Sequence, residues 1–178
     1  MQRASNRQWS LKPQDLAIAL KLVALKSNWL PYAELGDAMH LSRYEAHAAV
    51  QRLLAARLAA IIDGPPQIIV AALRQFVVCG AFYTYPAVRG GITMGFPTAH
   101  AAPPLKEMLV ASNDLPPIWP HPNGNTRGQI LLPLYESLPL AAQQDRQLYE
   151  LLALFDALRA GQARERELAI KLLEAKLQ

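Results

Sequence analysis

The sequence predicts a mainly α-helical fold with a small β component, and three observations carry that expectation. Much of the 52% hydrophobic content is Ala and Leu, residues that favour helices. Apolar residues recur at helical spacing towards both ends of the chain, over 13–26, 30–58 and 145–177. Between them, from Pro97 to Pro139, proline and glycine are dense enough to exclude long helices, leaving room for a short helix, short strands and turns. At 178 residues this is one domain, or one small domain with an appendage.

Residues 1–10 read as a loosely docked arm, with Arg3 and Arg7 as its cations. Pro13 then opens a helix that runs to Lys26. Leu16, Ala19, Leu20 and Val23 make one stripe, and Ile18, Leu22 and Leu25 lie beside it. A helix apolar over so wide an arc is central in the fold or packed against a second subunit. Ser27-Asn28 ends it and Trp29 anchors the connection.

The stretch Leu30–Leu58 organises the chain. Pro31 starts a short helix whose Tyr32, Leu35 and Met39 share a face. His40-Leu41 makes a turn. Ser42 caps a second helix, and Glu45 three residues later completes a capping box. Ala46, Ala49, Val50, Leu53 and Leu54 give that helix its packed side, while small residues at Gly36, Ala46 and Ala49 permit a close, steep crossing. Arg43, Tyr44, His47, Ala48, Gln51 and Arg52 are left to point outward. Arg and Gln are the side chains that pair with guanine and adenine edges in a major groove. Two helices joined this way are a helix-turn-helix unit.

The run YAELGDAMHLSRYEAHAAVQRLLAARL resembles the reading unit of bacterial winged-helix regulators of the MarR-like kind. The likeness covers about the first third of the chain. In the family's pattern a glycine often occupies the turn position held here by His40, so His40 must accept a left-handed backbone. Arg57 stands where a second glycine is expected. The resemblance implies a winged helix-turn-helix over residues 1–100 that binds double-stranded DNA, with Ser42, Arg43, Tyr44, His47, Gln51 and Arg52 as the contacts.

After the second helix, Asp63-Gly64-Pro65-Pro66 marks a turn. Ile68–Val78 fits a further helix closed by Gly80, although its β-branched runs also suit a strand. Phe82–Phe96 reads as a β-hairpin, with Arg89-Gly90-Gly91 as the turn. Arg89 at its tip is the candidate wing residue for a DNA backbone or minor groove, the alternative being a structural hairpin that covers the core. Residues 101–139 form a folded connecting segment, with a short helix over Leu105–Ala111 and strands at Ile118-Trp119 and Gln129–Leu132. Asp145 caps a helix striped with Leu148, Leu151, Leu152, Phe155 and Leu158, Gly161 stops it, and a last helix continues to Leu177. Residues 140–178 are therefore the expected dimerisation or interaction region, with Leu151, Phe155 and Leu158 on the buried stripe.

Charge is uneven. Residues 1–100 hold ten Lys and Arg against five Asp and Glu, a balance of +5, whereas residues 101–178 hold eight against nine. The basic excess thus accompanies the reading unit, as contact with phosphates requires. No run of eighteen apolar residues exists, so no membrane span is expected. The N-terminus lacks an apolar signal core, and the single Cys79, preceded by Val77 and Val78, reads as a buried thiol in a reducing cytoplasm.

Chemistry finds no framework. His40, His47, His100 and His121 lack Cys or carboxylate partners at ligand spacing, and the glycines of GGITMG and NGNTRG lack a phosphate-binding pattern. Neither catalysis, nor a metal, nor a cofactor is expected. The sequence points to a cytoplasmic, homodimeric, sequence-specific regulator of transcription. The alternative is a protein–protein interaction module, antitoxin-like or an assembly subunit, built on the same scaffold.

Overall fold

The computed structural model describes residues 9–26, 28–109 and 114–178, and is mainly helical with a small sheet component. Arg3 and Arg7, and the far end of the helix expected over Leu105–Ala111, lie outside the described residues. Helix α1 (Pro13–Ala24) starts at a proline, and the backbone N–H of Lys12 donates to Asp15 Oδ2 at 2.8 Å. Leu16 to Leu20 are buried almost completely, so α1 is the central helix rather than a subunit contact. It packs on α3 (Arg43–Ala55) and α7 (Arg146–Ala160).

Helix α2 (Tyr32–Ala38) precedes α3, and a hairpin of two-residue strands follows it: β1 (Ala59–Ala60) antiparallel to β2 (Gln67–Ile68). Then α4 (Val70–Phe76) runs on through a π-helical turn (Val77–Ala81) into α5 (Phe82–Thr84). The expected hairpin over 82–96 is therefore corrected. Leu73, Val77 and Ala81, four residues apart, are all fully buried, and this continued helical face outweighs the β-branched and aromatic composition. The same turn leaves Cys79 exposed, against the expectation of a buried thiol.

Strand β3 (Arg89–Pro97) pairs antiparallel with both β4 (Pro117–Pro120) and β5 (Thr126–Leu131), which pair parallel with each other and close a three-stranded barrel. Glycine makes that closure possible. A Cβ at Gly95 would run into the carbonyl of Trp119, and one at Gly128 into that of Pro116. Gly90 and Gly91, expected in a turn, lie inside β3 where its register against β5 shifts. The barrel is fastened to α7 through Asp156, which is buried. Its Oδ2 accepts from Thr98 Oγ1 at 2.6 Å and from Trp119 Nε1 at 2.7 Å, and its Oδ1 from Arg159 Nε at 2.8 Å.

Helix α6 (Leu138–Gln144) leads into α7, and α8 (Ala163–Lys176) packs back along it. Every residue from Leu151 to Leu158 is buried. Leu151, Phe155 and Leu158, expected at a dimer interface, belong to the core that α1, α3, α4, α8 and the barrel share. The apolar stripe is real, but the chain covers it itself. Among the described residues no helix is long and apolar enough to cross a membrane.

Asp145 does double duty at the start of α7. Its Oδ1 caps the helix by accepting from Gln147 N (2.9 Å) and Leu148 N (3.1 Å), and its Oδ2 accepts from Lys21 Nζ of α1 at 2.7 Å. Burial pushes this carboxyl upward, but the hydrogen bonds from Lys21 and Leu148 and the Lys21 charge outweigh it, so it sits below its ordinary value of 3.8. A folded-state value below the unfolded one gives stability that is complete above the unfolded value and lost as pH falls through the folded one. The stability difference between wild type and Asp145→Asn, followed by urea unfolding from neutral pH downward, is expected to shrink below 3.8. A difference that stays constant through that range would show that the α1–α7 tie carries no such linkage.

Candidate nucleic-acid interface

The α2–α3 corner is built from close approaches that few residues other than glycine allow. A Cβ on Gly36 would sit 2.8 Å from the Leu41 carbonyl oxygen and 3.1 Å from Arg43 N, so only glycine lets the turn fold back over α2. His40 takes the expected left-handed backbone, with φ of 51°, and Arg57 does the same after α3 with φ of 58°. Leu41 N–H then donates to Gly36 O at 2.9 Å. The turn is also gripped from outside. Tyr135 Oη donates to Met39 O at 2.8 Å and Ser137 Oγ to His40 O at 3.1 Å. Burial raises the Tyr135 phenol well above its ordinary value, which keeps it a donor.

The expected capping box is present. Ser42 Oγ accepts from Glu45 N at 3.1 Å, and Ser42 N and Oγ donate to Glu45 Oε2 at 3.0 and 2.7 Å. These bonds from Ser42 hold the Glu45 carboxyl below its ordinary value. Ser42 is therefore engaged as a cap. The buried side of α3 is Ala46, Ala49, Val50 and Leu53, each fully covered. On the opposite side Arg43, Tyr44 and His47 are exposed, Tyr44 at 80%, and Gln51 is half-buried. The His47 ring meets Tyr32 edge-on with centroids 4.8 Å apart.

Two of the expected contact residues are elsewhere. Arg52 stands on the flank of the buried stripe, facing α1, where its Nε and Nη2 donate to Asp15 Oδ2 and Oδ1 at 2.7 and 2.6 Å. Asp15 is completely buried, and its demand for a partner takes Arg52 out of the outward set. Arg89 is no hairpin tip. Its Nη2 donates to Ala160 O at 2.7 Å and its Nη1 to Gln129 at 3.4 Å, so it joins β3 to the end of α7.

The hairpin that does follow α3 is β1–β2. Its loop spans 61–66 and exposes Ile61 (60%) and Ile62 (75%), then turns through Asp63, Gly64 with φ of 132°, and Pro65-Pro66. The loop contains no Lys or Arg. Its signal was in the sequence, since Asp-Gly-Pro-Pro separates AAII from QIIV directly behind α3. Among the described residues, no group of three His, Cys, Asp or Glu is placed to hold a metal, although His100 Nδ1 does meet a carboxylate, Glu165, at 3.2 Å. The chain matches no family model, no curated protein and no solved structure.

The two arginines of α3 are thus expected to separate cleanly in stability measurements. Arg52→Ala leaves Asp15 buried without its ion-pair partner and is expected to cost about 3–5 kcal/mol in urea unfolding. Arg43→Ala, on the exposed face, is expected to stay within about 0.5 kcal/mol of wild type. Equal effects at the two positions would contradict this division of α3 into a held flank and a free face.

Proposed function

We propose that the chain is a winged helix-turn-helix protein that binds double-stranded DNA, with α3 as the reading helix and the β1–β2 hairpin as the wing, and that it acts as a homodimeric regulator of transcription in the cytoplasm. The observation that carries this reading is the free face of α3: Arg43, Tyr44, His47 and Gln51 project from a helix whose orientation is fixed at both ends, immediately before an antiparallel hairpin. The side chains of Arg43 and Arg57 make no ion pair or hydrogen bond among the described residues, which leaves both available to phosphates or a guanine edge. The contacts are accordingly Arg43, Tyr44, His47 and Gln51, without Arg52 and Arg89. Two copies would read half-sites about 34 Å apart or multiples of it. The surface that joins them lies outside the α7 stripe, because that stripe is covered.

A second reading has its own support. A wing that touches DNA ordinarily brings cations to phosphates, whereas this loop presents Ile61, Ile62 and Asp63. An apolar, acidic loop tip suits a protein partner, with the same unit serving as an interaction module.

Binding to a pool of mixed-sequence duplexes, followed by gel shift at several salt concentrations, separates the two. DNA binding predicts an affinity that falls steeply with salt, at a log–log slope of roughly −0.9 per phosphate neutralised. Replacing Arg43 and Gln51 by Ala is expected to cost about 1–3 kcal/mol for each base edge that these side chains read, while Ile61→Ser with Ile62→Ser leaves DNA binding close to wild type. Binding indifferent to the Arg43→Ala, Gln51→Ala change would retire α3 as the reader. No salt-sensitive binding to any duplex would favour the protein partner.

A further inference from the structure

Away from the free face of α3, a cleft of ≈ 750 Å³ opens where four distant segments meet. They are the end of α1, the second half of the β1–β2 hairpin, the first turns of α7 and the end of α8. That volume falls inside the range of about 300–1,000 Å³ typical of small-molecule sites. Its apolar lining includes Val23, Trp29, Ile68 and Leu151. Its charged side chains are those of Lys26, Arg146, Lys176 and Glu150.

The cations exceed what the carboxylate uses. Glu150 accepts from Arg146 Nε at 3.0 Å and from Lys176 Nζ at 2.7 Å. That pairing leaves the two terminal nitrogens of Arg146, a side chain 82% exposed, without a partner among the described residues. The Lys26 ammonium makes no hydrogen bond or ion pair among them. Among the lining side chains, three cations face one carboxylate, which leaves the Lys26 ammonium and the outer nitrogens of Arg146 as available donors beside an apolar floor. A neutral or cationic ligand would leave those donors unanswered, and an inorganic anion would leave the floor unused.

We propose that this cleft binds an apolar organic anion, a ring or short aliphatic body bearing a carboxylate, sulfonate or phosphate that is met by Lys26 and Arg146. The body lies against Trp29, Val23 and Leu151. Pro65 and Pro66 belong both to the cleft wall and to the hairpin loop, so an occupant touches the element that follows α3. Control of DNA binding by that contact rests on the function proposed above, whereas ligand binding itself does not.

The test uses the whole chain without DNA and the fluorescent anion 1-anilinonaphthalene-8-sulfonate as probe. Saturable binding of one dye per chain is expected, weakened about tenfold by Lys26→Gln because one charge-assisted hydrogen bond is removed. Gln67→Trp, which fills the cleft from an exposed strand position, is expected to abolish it. Met94→Ser, on the exposed part of β3, is expected to leave it unchanged. Naphthalene-1-sulfonate should displace the dye at least tenfold more effectively than inorganic phosphate. Binding untouched by Lys26→Gln, displacement by phosphate as good as by the sulfonate, or no saturation would each overturn the proposal. Should Gln67→Trp lose its native circular dichroism, Lys26→Gln, a change at an exposed residue, decides alone.

Discussion

One buried carboxylate sets the arrangement on which the rest depends. Asp15 is wholly removed from solvent, and a charge in that position is tolerated only if its oxygens are answered. Three donors answer it: the Lys12 backbone N–H and two nitrogens of Arg52. The first bond starts α1, and the other two lock α3 across it. A single side chain thus caps one helix and fixes how another crosses it. Because α1 is also tied to α7 through Lys21 and Asp145, the orientation of α3 is referred to the whole helical core.

The local half of this design was legible in the sequence. The Ser42–Glu45 capping box, the left-handed His40, the buried stripe of α3 and the Asp145 cap all rest on residues a few positions apart, where spacing carries the information. Non-local pairing was not legible. Arg52 and Arg43 are the same residue type on the same helix, and only the position of Asp15, 37 residues away from Arg52, separates a structural arginine from a free one. The stripe of Leu151, Phe155 and Leu158 was visible as a pattern, but a pattern does not say whether a second copy or the chain's own α1 and α8 covers it.

The barrel shows the same division. Its strands β4 and β5 were anticipated from short apolar runs between prolines, yet β3 was given to a hairpin because Gly90-Gly91 reads as a turn. Pairing partners far along the chain, such as Gln129 opposite Ile92, hold those glycines in an extended strand instead. Asp156 then joins the end of β3, strand β4 and α7 through Thr98, Trp119 and Arg159, a network whose members are buried or nearly so and fully satisfied. Nothing in the spacing of those residues announces it.

The corner that orients α3 is held by more than its own two helices. Tyr135 and Ser137 donate to the carbonyls of Met39 and His40, the two residues at which α2 gives way to the turn. Both donors belong to the segment that runs through α6 into Asp145, and Asp145 both caps α7 and binds α1. The turn before the free face and the first turn of α7 are therefore parts of one continuous path. Arg146 and Glu150, which line the cleft, stand at the start of α7, and Pro65 and Pro66 line it from the hairpin behind α3. An occupant of the cleft would thus lean on α3 from two directions, through the hairpin that follows it and through the segment that grips the turn before it. Between these supports there is little freedom for α3 to move alone, so any response to a ligand is expected in the hairpin loop, where Ile61 and Ile62 stand exposed.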